Sequence, residues 1–159
     1  MFKLFCRTSG WASAFSLFML LLPVLAISAD GSTYVGSEAC SECHQLEYEN
    51  FSKFAKKAHS SKSIQIMASD LSPEEIKECF ACHTTGYGKP GGFKGFEETP
   101  KLADAGCEVC HGPGSRHVDE GGDPSLIKHD LTLKDCEVCH NAERVGAFNF
   151  KPLLFGGAH

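Results

Sequence analysis

One short pattern, present four times, constrains this chain more than any other feature. The copies are Cys40-Ser-Glu-Cys43-His44, Cys79-Phe-Ala-Cys82-His83, Cys107-Glu-Val-Cys110-His111 and Cys136-Glu-Val-Cys139-His140. They use every cysteine after Cys6, so none is left over. The last two copies share the string CEVCH, but the first cysteines lie 39, 28 and 29 residues apart, so a motif repeats and not a solenoid unit.

Three chemistries can use a Cys-x-x-Cys pair. Two pairs supply the four ligands of a structural zinc ion, but that reading leaves the histidine behind each pair without a role. A thioredoxin-like redox motif is normally single and sits in a βαβ setting, for which there is no pattern here. Disulfides suit an exported chain, yet bridges within such pairs close only tiny loops and stabilise little. Covalent attachment of a c-type haem uses every position. On a helix, residues i, i+3 and i+4 share a face, so both thiols reach the porphyrin edge and the next histidine lies under the iron. Four copies predict four covalently bound haems, with thioethers from Cys40, Cys43, Cys79, Cys82, Cys107, Cys110, Cys136 and Cys139 and proximal ligands His44, His83, His111 and His140.

The ends of the chain and its charge fit that chemistry. Lys3 and Arg7 precede an uncharged apolar run from Trp11 to Ala26, and Ser28 and Ala29 close it. Residues 1–29 therefore read as a secretory signal peptide and 30–159 as the tetrahaem domain, placed in the periplasm or otherwise exported. The alternative for the first segment is an uncleaved membrane anchor, because Trp11 to Ala29 is 19 residues without charge. Pro23 and the small closing residues favour cleavage, and a membrane partner follows only from the anchor. Without residues 1–29, 13 basic residues face all 20 acidic ones, a formal charge of −7, which argues against nucleic acid.

The fold expected is mainly α with extensive loops, a compact multihaem cytochrome whose core is dominated by haem. Ser37 offers a cap for a segment without Gly or Pro from Glu38 to Leu71, whose first two-thirds read as one long amphipathic helix. Ser72-Pro73-Glu74-Glu75 is a capping box that starts a helix through Cys79 and His83, ending at Gly86. Asp104 and Thr132 to Asp135 offer starts for motifs three and four, and Gly112-Pro113 stops the third. Residues 85–106, with six glycines and two prolines, form a loop, as do residues 119–125. Phe51, Phe54, Tyr87, Phe93, Phe96, Phe148 and Phe150 are expected to pack on haem, since about 130 residues of this composition make a small core alone.

Four histidines stand outside the motifs, His59, His117, His129 and His159, one for each iron. Met67 is the only methionine after Met19, which excludes Met/His coordination at most sites. If residues 38–59 form one helix, His44 and His59 are 15 residues or about 22 Å apart and cannot hold the same iron. His117 follows His111 by six residues through Gly112-Pro113-Gly114 and more easily serves another haem.

The segments YVGSEACSECHQLEYENFSKFAKKAH, KECFACHTTGYGKPGGF and GCEVCHGPGSRH, with the final FNFKPLLFGGAH, resemble the tetrahaem cytochrome c-554 family in order and spacing. The resemblance implies His44 with His117 on the first haem, His59 with His111 on the third and His140 with His159 on the fourth. In that family's best-known member the haem corresponding to that of His83 has no distal protein ligand and can bind small molecules such as nitric oxide. This chain departs there: it is shorter, its Gly-Pro-Gly to histidine spacing is tighter, and His129 lies seven residues before Cys136, where it would close the second haem.

The leading expectation is an electron carrier between a donor and an acceptor redox protein, through four closely packed, mostly bis-histidine haems. A small reductase acting at a five-coordinate His83 haem, on nitric oxide for example, is the enzyme alternative. The assembly alternative is a subunit of a haem chain or filament in which His159 ligates a haem of the next copy. Lys53, Lys56, Lys57 and Lys62 form a basic stretch, read as a solvated helix face before a docking patch for an acidic partner.

Overall fold

The computed structural model describes residues 31–141. The segment read as a signal peptide, Phe148, Phe150 and His159 lie outside the described residues. Seven short helices follow one another there: α1 (Ser37–Cys40), α2 (Gln45–Phe54), α3 (Ser61–Met67), α4 (Pro73–His83), α5 (Glu108–His111), α6 (Ser115–Asp119) and α7 (Leu133–Glu137). Single 3-10 turns at Lys56–His59, Ala68–Asp70, Pro100–Leu102 and Pro124–Leu126 join them, and no strand occurs among the described residues. The expected class, helices with extensive loops, is what forms. No described helix is long and apolar enough to cross a membrane.

The single helix expected from Glu38 onward is instead broken twice. Ser41 Oγ donates to the Glu38 carbonyl at 2.7 Å, taking an acceptor that the next helical turn needs. His44 then leaves the helical region at φ −112°, ψ 51°. The second break is at Ala55, extended at ψ 115° and only 4% exposed, so the chain turns there to bury a methyl group. His59 therefore does not share a helix with His44.

Capping signals are kept where both partners are local. Ser72 Oγ accepts from Glu75 N, and the Glu75 carboxylate accepts from Ser72 N and Oγ at 2.8 Å, the reciprocal box read from the sequence. Thr132 and Asp135 form the same box on α7. Two other expected caps act elsewhere. Ser37 does not cap its own helix; its Oγ accepts from Cys107 N at 3.0 Å, at the start of motif three. Asp104 does not cap motif three, because its Oδ1 accepts from Ser61 N at 2.8 Å. Helix α4 ends at His83, before Gly86, as Thr84 turns extended and its hydroxyl donates to Phe80 O at 2.7 Å.

The glycine-rich loop holds much of the small core. Phe93, Leu102 and Ala105 are among the most buried apolar residues, with Phe51, Ala55 and Ile64. Phe80 meets Tyr87, Phe93 and Phe96 edge-on at centroid distances of 5.2, 5.1 and 5.8 Å. Tyr87, Phe93 and Phe96, expected against haem, thus pack on one another around Phe80. The loop closes only because Gly92 has no side chain, since a β-carbon there would overlap the Gly86 carbonyl.

Candidate functional site

The sequence places each cysteine pair at a helix end, and the fold then gathers the pairs. Motif one spans the end of α1 and the turn before α2; motif two ends α4; motif three is α5; motif four ends α7. Within each CxxCH unit the histidine N–H reaches back to the first cysteine's carbonyl in motifs one, three and four, at 2.9, 3.1 and 2.8 Å. That bond curls both thiols and the ring toward one side.

Between motifs, thiols meet in a definite order. Cys40 donates to the Cys107 sulfur, which holds the Cys107 thiol down at about 6, while that bond and burial push Cys40 up. Burial and the nearby Cys110 raise Cys136, and burial and a hydrogen bond with Cys82 push Cys139 up to about 12. The spatial order of motifs is therefore one, three, four, two. All eight of these cysteines are unbridged. No three or more His, Cys, Asp or Glu side chains converge as a metal cage among the described residues, which does not suit the four-thiolate zinc arrangement.

The histidines show how such sites are prepared. His83, His111 and His117 donate from Nδ1 to the carbonyls of Ser60 (3.1 Å), Lys128 (2.7 Å) and Asp123 (2.8 Å). An imidazole that donates from Nδ1 presents Nε2 as its lone-pair nitrogen, the usual support of a metal-ligating histidine. The rings of His44 and His117 lie nearly parallel, with 6.1 Å between centroids and 18° between planes. With metal–nitrogen bonds of about 2 Å, two imidazoles on opposite sides of one iron have centroids on the order of 6 Å apart.

The remaining candidates are placed differently. His59 donates from Nε2 to Ser52 O at 2.9 Å, so that nitrogen must turn before it could ligate. His129 is 64% exposed, with Nδ1 3.2 Å from Asp130 Oδ1. His140 sits with Cys139 in a cleft of about 380 Å³ whose other walls include Cys79, Cys82, His83, Lys56 and Lys57. Burial and the Lys57 charge lower its basicity. His129 is not in the wall of that cleft.

Two residues that the sequence did not single out hold the site together, Glu108 within motif three and Ser60 outside the motifs. Glu108 is 2% exposed, and its carboxylate accepts from Val35 N (3.0 Å), Gly36 N (2.8 Å) and Gly114 N (2.8 Å). It pins the segment before motif one to the turn after motif three. Ser60 donates to His83 O at 2.8 Å and accepts from Ala105 N at 2.8 Å, linking motif two to the approach of motif three. No local signal pointed to Glu108, since Glu137 holds the same place in motif four and is exposed.

These residues fit covalently attached haem. The donor set is a thiol pair with a histidine behind it, three rings are held by Nδ1, and one pair has the spacing of opposed axial ligands. Leu46, Phe54, Ile66 and Val138, each more than 60% exposed, present apolar surface suited to a large apolar ring.

Comparison with known proteins agrees. The family model described as cytochrome c554 and c-prime matches residues 39–112, from motif one through motif three. Cytochrome c-554 of Nitrosomonas europaea is 31% identical over 101 residues, covering 56% of this chain and 42% of the relative, so the match spans less than half of that protein. The solved structure of reduced cytochrome c554 from Nitrosomonas europaea superposes with a TM-score of 0.57 at 20% identity, covering 79% of this chain and 83% of that one. Motifs, fold and relatives all point to the cytochrome c-554 family.

Proposed function

We propose that this is an exported tetrahaem carrier that passes single electrons between redox proteins. Residues 1–29 are the cleaved leader, and 30–159 hold four haems through the eight cysteines. The observation that carries the reading is the nearly parallel His44 and His117 rings at 6.1 Å, which suit the two axial positions of one haem. His83, His111 and His140 supply the other proximal nitrogens, and His59 and His159 are the distal partners of His111 and His140. Haem, when bound, supplies the one-electron chemistry; the chain fixes ligands, spacing and burial. The thiol order Cys40–Cys107, Cys110–Cys136, Cys139–Cys82 supports an electron path through motifs one, three, four and two.

A second reading has an observation in its favour. His129 stands in solvent beside Asp130 and outside the cleft of His83, so the His83 haem keeps an open side. In that reading the protein binds, and can reduce, a small molecule such as nitric oxide.

Mass spectrometry of the purified protein, followed by ferric absorption and paramagnetic resonance spectra with and without nitric oxide, tests both. Four haem masses and purely low-spin signals are expected of a closed carrier. A high-spin component that shifts with nitric oxide moves the second reading to the front, and fewer than four covalent haems overturns the tetrahaem assignment.

A further inference from the structure

Lys57 stands apart from the other lysines of its stretch. Lys53, Lys56 and Lys62 are exposed, whereas Lys57 is half-buried, because the extended Ala55 turns the chain inward just before it. Its Nζ lies 5.8 Å from the ring centroid of Phe51, itself 5% exposed, so the stem runs along the core. Lys57 lines the cleft that holds Cys79, Cys82 and His83 of motif two and Cys139 and His140 of motif four.

The ion pairs among the described residues are Lys94 with Glu98, Lys128 with Asp135 and His129 with Asp130, and Lys57 belongs to none of them. Among the described residues no carboxylate is paired with Lys57, so a positive charge is held at the cleft where motifs two and four meet.

We propose that Lys57 sets reduction potentials: its charge favours the reduced, less positive iron at the haems of motifs two and four and lifts them above the haem of motif one. The proposal rests on the reading of these motifs as haem sites. A ferric haem carries one more positive charge than a ferrous one, so a nearby cation disfavours oxidation. Along the motif order one, three, four, two, this makes the route from the His44 end downhill for electrons. The haems near Lys57 become the receiving end.

The test is a spectroscopically monitored redox titration of the holoprotein, after its haems have been counted by mass. At fixed ambient potential, Lys57→Met and Lys57→Gln should lower the ferrous-to-ferric ratio of at least one haem by about three- to tenfold. That is the range a unit charge gives at roughly 10 Å in a medium between protein and water. A tenfold change corresponds to about 59 mV for one electron. Lys57→Arg should restore the wild-type curve, and Lys62→Met, the same charge change on the surface, should shift it less than about twofold. Unchanged curves in fully loaded Lys57→Met, or an equal shift in Lys62→Met, overturn the proposal. So does failure of both neutral variants to load haem while Lys57→Arg loads, since the lysine would then be a structural wall. Absence of haem from the wild-type protein fails the underlying reading instead, and the mass count separates the two.

Discussion

Motifs three and four place the same acid between the same cysteines, yet the two glutamates do different work. Glu108 takes three backbone N–H groups in a nearly sealed site, while Glu137 is exposed. A glutamine at 108 keeps one acceptor oxygen and turns an NH₂ group toward N–H donors that it cannot satisfy. Glu108→Gln should therefore cost roughly 2–3 kcal/mol, and Glu137→Gln less than about 0.5 kcal/mol, in thermal or denaturant unfolding of the holoprotein. Equal effects would mean that the Glu108 bonds add nothing. The comparison also shows what was legible in the sequence. Cysteine and histidine positions could be read because haem attachment is a local pattern, complete within five residues. Glu108, Ser60 and Lys57 could not, since their partners come from segments up to 73 residues away. Nothing in their own surroundings distinguishes them from solvated residues.

At the scale of elements, local signals held and long-range ones did not. Both capping boxes formed because donor and acceptor sit three residues apart, whereas Ser37 and Asp104 were taken by backbone N–H groups of other segments. The long helix failed for a related reason: absence of Gly and Pro permits a helix but does not enforce one. Once the CxxCH turn has its own hydrogen bonds, helix propensity over a few residues is too weak to resist. The α4 box makes a pH prediction. Accepting from the Ser72 backbone N–H, and then from its hydroxyl, holds the Glu75 carboxyl below its ordinary value of 4.5. A depressed folded-state pKa adds stability that is fully present above 4.5 and is lost as pH falls through the lower folded value. Glu75→Gln should thus lower the melting temperature at pH 7 and converge on the wild type once the pH lies below the folded value of Glu75, well under 4.5. Ser72→Ala, which removes the cap, should cost about 1 kcal/mol at neutral pH. A Glu75→Gln deficit that is the same at both pH values would show that the box does not depend on charge.

At the scale of the whole molecule, the chain has too little core to explain a single stable fold without its prosthetic groups. Only seven apolar residues of 31–141 are buried, one of them Cys136, and three of the seven lie in the glycine-rich loop, where backbone entropy is greatest. Side chains as large as Leu46, Phe54 and Val138 remain in solvent. Buried hydrogen bonds through Thr85, Ser60 and Glu108 give the segments their register, but each contributes only about 1 kcal/mol net, against about 1–2 kcal/mol per residue of ordered backbone. Attached haems would supply the missing apolar surface and tie segments together through opposed histidines, so attachment and folding should be one event, as in small metal-dependent domains. Residues 30–159 produced in the cytoplasm, where attachment does not take place, should show weak helical circular dichroism and no cooperative thermal transition. The haem-loaded protein should unfold cooperatively with its haem absorption band. A sharp transition and dispersed amide resonances in the haem-free chain would place the stability in the protein's own core. The aromatic cluster around Phe80 would then be the first part to examine as its source.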